Sequence, residues 1–170
     1  MDFKTFLPDF EAIKKTDWAK PQVDTKDKTN LLMFVGAALM VVFVFFPWIK
    51  LSAVQFGNTW EGSDLGVTEW YGVFALLCGL AAVVGALYNH TTLAFTAAVL
   101  GLFFGLLGLL CFPEVTVKCK GESDVISGAS EWEDVVKAST KTSISRLGTI
   151  LYLVATAVTG AVAYLKITKK

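Results

Sequence analysis

The sequence predicts an all-α membrane protein: a four-transmembrane-helix bundle with a small β-like outer loop and an N-terminal amphipathic segment. Three observations carry this. Over half of the 170 residues are hydrophobic and only 18% are charged, against about 25% in ordinary soluble domains. The charges fall outside four long windows. Aromatic residues mark the ends of those windows.

The windows run over residues 31–48, 70–88, 92–112 and 147–165, and none contains Asp, Glu, Lys, Arg or His. Each is 18 to 21 residues long; a helix rising about 1.5 Å per residue needs about 20 to cross roughly 30 Å of hydrocarbon. A soluble bundle of this size has nothing left to cover four helices that are apolar all round. Barrel strands would alternate in polarity, and these windows are continuously apolar.

Lysine and arginine placement sets the expected orientation. Four crossings put both termini on one side, with nine of the 15 basic residues. The terminal Lys166-Ile-Thr-Lys-Lys170 abuts the last window, where positive charge is retained on the inside. Both termini are therefore expected in the cytoplasm of a multi-pass protein of a bacterial inner membrane or a plasma membrane. Trp48 and Trp70 then mark the outer interface, Tyr88 and Tyr164 the inner one.

Residues 1–30 read as a cytoplasmic amphipathic segment and linker, residues 31–170 as the transmembrane domain. Phe3, Phe6, Leu7, Phe10, Ile13 and Trp18 share one helical sector, with Pro8 at a helix start and Asp9 and Glu11 in the first turn. Such a segment lies on the inner leaflet or against a partner. Residues 19–29 read as a polar linker. The alternation through Leu51, Ala53 and Gln55 before Gly57-Asn58 predicts a hairpin. Asn89-His90-Thr91 predicts a tight turn between the second and third helices. The loop after Pro113 opens with a strand-like Glu114–Lys118 and continues to a short helix from Ser130, capped by Ser130 with Glu133 three residues on.

Small residues form the clearest motif. Ala97, Gly101 and Gly105 recur every four residues; Gly79 and Gly85 mark the second window and Gly160 the fourth. Such stripes let helix backbones approach closely, either within one bundle or between this chain and a partner. The first window shows no such stripe and is rich in Phe and Val. It is expected to face lipid, or to present Phe43, Phe45 and Phe46 to a partner.

Chemistry-bearing residues are few. No window holds an ionisable group, the usual mark of an ion or proton path. His90 alone cannot hold a haem, and three irregularly spaced cysteines make neither a zinc site nor a disulfide framework. Cys78 reads as a core thiol, whereas Cys111 and Cys119 can pair across a short loop in an oxidising compartment. Glu61, Asp64 and Glu69 read as a solvated loop face, with cation binding as the alternative. No cofactor, metal or nucleic-acid partner is implied, and no catalytic residue is assigned.

Phe46-Pro47-Trp48-Ile49, then Gly57-Asn58-Thr59-Trp60 and a return through Gly66, resembles small uncharacterised bacterial four-helix membrane proteins. It is also similar in layout to the claudins, whose four-helix bundle carries a β-rich first outer loop with paired tryptophans. The claudin signature adds two loop cysteines after its Gly-Leu-Trp; this loop has none, so the resemblance implies topology over residues 31–112 and transfers no functional residue. The expected function is a structural or accessory subunit of a larger membrane assembly. The alternative is a small oligomeric channel or transport component, and neither is an enzyme. The expected partners are the lipid bilayer and other membrane subunits or further copies of the chain. Thr149, Thr156 and Thr159 offer the best candidate for a pore-facing polar stripe.

Overall fold

The computed structural model describes residues 3–18, 20–21, 27–119 and 122–169. Most of the linker expected over 19–29 lies outside the described residues.

Four long helices form the body: α2 (Lys28–Val44), α3 (Trp70–Leu87), α4 (Thr91–Leu110) and α6 (Leu147–Thr168). The short α1 (Phe10–Lys14) precedes them and α5 (Ala129–Ala138) lies in the last loop. α3, α4 and α6 are each long and apolar enough to cross a membrane; α2 is an apolar helix of 17 residues. α2 packs on α3 and α6, and α4 packs on the same two, so the four close into a ring.

α2 stops four residues short of the first window's expected end. Phe45 caps it, and Pro47 and Trp48 already belong to strand β1 (Pro47–Gln55). Proline has no N–H to continue a helix, and it disfavours helical geometry in the residue before it. The remaining strands are β2 (Asn58–Leu65), β3 (Glu114–Cys119), β4 (Glu122–Ser127) and β5 (Lys141–Ser145). They form one antiparallel sheet in the order β4-β3-β2-β1-β5. Every connection between a strand and a long helix lies at the same end of the bundle, so the sheet sits on that end.

The hairpin turn is Phe56-Gly57, one residue earlier than the sequence suggests. Both residues have positive φ, 49° and 76°, and Gln55 pairs with Asn58. Two positive-φ residues match the strand twist, which suits Gly57 and costs Phe56 some strain. α5 starts at Ala129 behind Gly128, whose φ is +122°, and no side chain caps it. Ser130 therefore stands inside the helix rather than before it. β4 and β5 carry too few apolar residues to be seen in the sequence. β5 forms because β1 offers it a free edge, pairing Leu51 with Ile144 and Ala53 with Thr142.

The helix ring has an inward face of small and weakly polar residues. Ala37, Ala75, Ala82, Ala97 and Ala155 are buried with Met40, Tyr71 and Tyr152. Large aliphatic and aromatic side chains point outward instead: Leu39 and Val42 on α2, Phe74 and Leu77 on α3, Phe103 and Leu106 on α4, Ile150 and Val154 on α6. A second core lies between the sheet and α5, where Ile49, Leu51, Val115, Val117 and Ile126 meet Trp132 and Val135.

Trp48, although on β1, buries its side chain in the helix core. It is 3% exposed, lies 5.3 Å from the Tyr152 ring and 6.0 Å from the Tyr71 ring, and donates its indole N–H to Phe43 O at 3.0 Å. Gly66 and Gly108 lie against its ring so closely that a Cβ on either would overlap it.

A Leu at Gly101 would meet the Tyr152 hydroxyl at 2.8 Å and Met40 Cε at 2.9 Å already at its Cβ, whereas one at Gly160 meets only Ala98 Cβ at 3.5 Å. Gly101→Leu is expected to cost about 1–3 kcal/mol, and Gly160→Leu less than about 0.5 kcal/mol. Thermal unfolding of the two variants in mild detergent checks this; equal losses would show that the intrachain seam does not hold the bundle.

Candidate functional site

The small residues singled out in the sequence face neighbouring helices of the same chain. Gly79 of α3 lies on α2, where its Cβ would stand 3.1 Å from Val41. A Cβ on Gly85 of α3 would stand 2.7 Å from Ala94 N of α4, and Gly101 and Gly105 of α4 make a notch for Tyr152 of α6. Ala97 is buried in the same core. Gly160 of α6 is less tightly packed, since a Cβ there would meet Ala98 of α4 at an ordinary 3.5 Å. α2 also has a close-packing seam opposite an exposed apolar face of Leu31, Leu32, Val35, Leu39 and Val42. Met33, Gly36, Ala37 and Met40 are buried, and a Cβ on Gly36 would strike Thr159. The seam went unseen because a lone glycine with two methionines is not a repeat. Phe45 and Phe46 do stand exposed, while Phe43 packs partly against the core.

Four polar side chains of the bundle interior bond to backbone carbonyls within it. Thr149 is buried and donates to Trp48 O at 3.0 Å. Tyr152 crosses the bundle to Ala75 O at 3.0 Å, tying α6 to α3. Thr156 and Thr159 return their hydroxyls to carbonyls of their own helix, Tyr152 O at 3.1 Å and Ala155 O at 2.8 Å. The threonine stripe therefore faces the core of one chain, not a pore between chains.

The cysteines are free thiols. Cys111 caps the end of α4, and Cys119 is the last residue of β3. The segment between them is strand rather than loop. At about 3.3 Å per residue, β3 alone carries the chain roughly 17 Å away, beyond the 7 Å or so a disulfide spans. The expected bridge is thereby corrected.

At the sheet end the expected acidic face divides. Glu61 pairs with Lys118 across β2 and β3 and points to the polar side of the sheet. Asp64 turns toward the bundle, where one carboxylate oxygen accepts from Thr68 and the other is buried without a partner among the described residues. Burial pushes the Asp64 carboxyl above its ordinary range. Burial raises Glu69 too, helped by the charges of Asp64 and Glu114. Among the described residues no three His, Cys, Asp or Glu side chains gather as a metal site.

Two basic residues that sequence reasoning passed over organise the ends. Arg146 precedes α6 and donates from Nη1 to Gly108 O and Cys111 O, each at 3.0 Å, and to Leu109 O. These are carbonyls of the last turn of α4, left without helical partners and negative by the helix dipole. At the opposite end Lys166 of α6 donates to Asn30 of α2 and, at 2.6 Å, to Asn89 of the α3–α4 turn, with Asp27 at 4.0 Å. Asn89 reaches it from a left-handed φ of 59°. The backbone N–H of Thr29 holds the Asp27 carboxyl below its ordinary range.

The N-terminal segment folds onto this end. It is broken into a 3-10 turn over Phe3–Phe6 and α1, with Asp9 capping the latter at Glu11 N, 3.0 Å. Phe6 stacks on Tyr164 at 5.8 Å; Trp18 packs edge-on against Tyr88 at 4.8 Å and accepts its hydroxyl proton on the backbone at 2.7 Å. Thr16 and His90 Nε2 share a hydrogen bond of 2.6 Å. Part of the aromatic sector thus packs on the chain's own helices, while Leu7 and Phe10 remain exposed; the side chain of Phe3 lies outside the described residues.

Compared with protein families, curated proteins and solved structures, the chain matches none.

The raised carboxyl of Asp64 gives a pH signature. In the folded state Asp64 holds its proton to higher pH than when unfolded, so its contribution falls as pH rises through the raised value and recovers on acidification. Asp64→Asn is expected to raise the unfolding midpoint at neutral pH and to remove that part of the acid-side recovery. Midpoints measured across the acid range check this, and an unchanged profile would be the contrary result.

Proposed function

We propose that all four long helices cross the bilayer, with both termini cytoplasmic and the sheet outside, and that the protein serves as a structural or accessory subunit of a larger membrane assembly. The observation that carries the membrane reading is the inverted polarity of the ring, with Leu, Val and Phe outward and Ala, Gly, Thr and the Tyr152 hydroxyl inward. Water would penalise that outer surface, whereas hydrocarbon does not. α2, at about 26 Å, is short for a span, but Phe45 and Phe46 extend its apolar surface toward the sheet.

Contact rather than turnover fits the rest. Thr149, Thr156, Thr159 and Tyr152 are committed to backbone carbonyls. Outside the bilayer the sheet presents one apolar face to α5, while the other carries Lys50, Ser63, Thr116 and Lys118 around a shallow depression. β4 and β5 are edge strands. A polar face with open edges is a surface that a partner protein can use. The claudin-like layout is consistent with this placement, a β-hairpin forming the first outer loop.

Reporter fusions at Asn89 and Lys170 are expected to read cytoplasm, and one at Phe56 the exterior. An external signal at Asn89 or Lys170 would overturn the topology. Native purification should recover the chain with other subunits or with further copies of itself; a partner-free monomer that conducts a solute in a reconstituted flux assay would favour the transport alternative.

A further inference from the structure

We infer that the cleft between the sheet and α5 binds a small quaternary ammonium group, its methyls against Trp60 and Trp132 and Asp124 at its mouth. This ligand site belongs to the sheet end and does not depend on the membrane reading.

The register of the sheet brings the lining together. Ala53 of β1 pairs with Trp60 of β2, and Val117 of β3 pairs with Asp124 of β4. All four line one cavity of about 70 Å³ on the side of the sheet that faces α5, and α5 adds Trp132 to the lining. Ala53 is 3% exposed, and its single methyl leaves the room that a longer side chain would take. Gln55, also in the lining, donates to Val135 O of α5 at 3.5 Å.

The lining is graded from floor to mouth. Ala53, Val117 and Ile126 are buried, Trp60 and Trp132 are half-buried, and Asp124 is exposed. An apolar floor gives an N–H cation nothing in place of the water it would lose. A methylated ammonium has no N–H to satisfy, and indole rings attract it. Asp124 supplies the counter-charge. One of its oxygens accepts from Val125 N at 2.9 Å, and among the described residues no basic side chain pairs with it. Among the described residues the one cation over an aromatic ring is Arg146, which lies on Phe112 and on neither of these tryptophans. From Glu122 to Asp134 the chain carries five acids and no base, so the field here favours a cation.

Size narrows the ligand. A void of roughly 150 Å³ takes up benzene, so this one, about half as large, has room for about three or four heavy atoms. That is a trimethylammonium head, with the rest of the ligand leaving past Asp124.

The test uses the full chain in maltoside detergent, with fluorotryptophan at its five tryptophans, followed by fluorine NMR. Trp60→Phe and Trp132→Phe assign those two signals. Choline is titrated at constant ionic strength beside its uncharged isostere, in which a tert-butyl group replaces the trimethylammonium head. Choline is expected to shift the Trp60 and Trp132 signals saturably and to leave those of Trp18, Trp48 and Trp70 in place. It should bind about tenfold tighter than the isostere. Asp124→Asn, which can keep the bond to Val125 N, should weaken choline by a similar factor. Ala53→Leu, which fills the cavity without touching a charge, should remove the shifts. Nanodiscs of phosphatidylcholine and of phosphatidylglycerol then tell the source. Signals already shifted in phosphatidylcholine assign a lipid headgroup, and signals that answer only to free choline assign a solute. Equal binding of choline and the isostere would show an apolar void only and overturn the proposal. An absent shift, a shift unchanged in Asp124→Asn, or one that survives in folded Ala53→Leu would overturn it too.

Discussion

Trp48 stands where α2 gives way to β1, and its placement constrains both halves of the molecule. Its indole N–H reaches back to Phe43 O, completing the end of α2, while its rings fill the space between Tyr71 and Tyr152. Its backbone carbonyl accepts the Thr149 hydroxyl of α6. One residue therefore bonds to the end of a helix, belongs to the sheet and touches both helices that flank α2. The glycines at 66 and 108 are explained by this ring, since neither position has room for a Cβ beside it.

The same logic governs the helix ring. Helices that approach on small residues gain close backbone packing, but they leave gaps that a single large side chain must fill. Tyr152 fills the notch at Gly101 and Gly105, and its hydroxyl, which burial would otherwise leave unpaired, finds Ala75 O. A buried hydroxyl without a partner costs on the order of 1–3 kcal/mol, so the notch and the acceptor have to occur together. Thr156 and Thr159 obey the same rule with carbonyls of their own helix, and Thr149 with Trp48 O.

The two ends of the ring are closed by cations of different kinds. Arg146 reads three carbonyls at the end of α4 with one branch of its planar head and lies 5.9 Å over the Phe112 ring. Arginine's fork serves several acceptors at once. Lys166, a compact ammonium, draws α2 and the α3–α4 turn to α6 through two asparagines. Arg146 thereby ties the sheet end of α4 to the start of α6, and Lys166 ties the other end of α6 to α2 and the α3–α4 turn.

By itself the sequence determined the apolar windows, the small-residue stripes of α3 and α4, the first hairpin and the short helix of the last loop. Each is a local property, set by period, composition or a turn residue within a few positions. Tertiary structure decided what depends on distant partners. The close-packed face of α2 emerges only when Gly36 meets Thr159. β5 exists because β1 has an unpaired edge, and the sheet draws its five strands from two loops far apart in the chain. The same pairing turned the segment between Cys111 and Cys119 into a strand and parted the thiols. Arg146 and Lys166 look like ordinary flanking charges in the sequence, because nothing local tells a helix-end cation which carbonyls or amides it will meet.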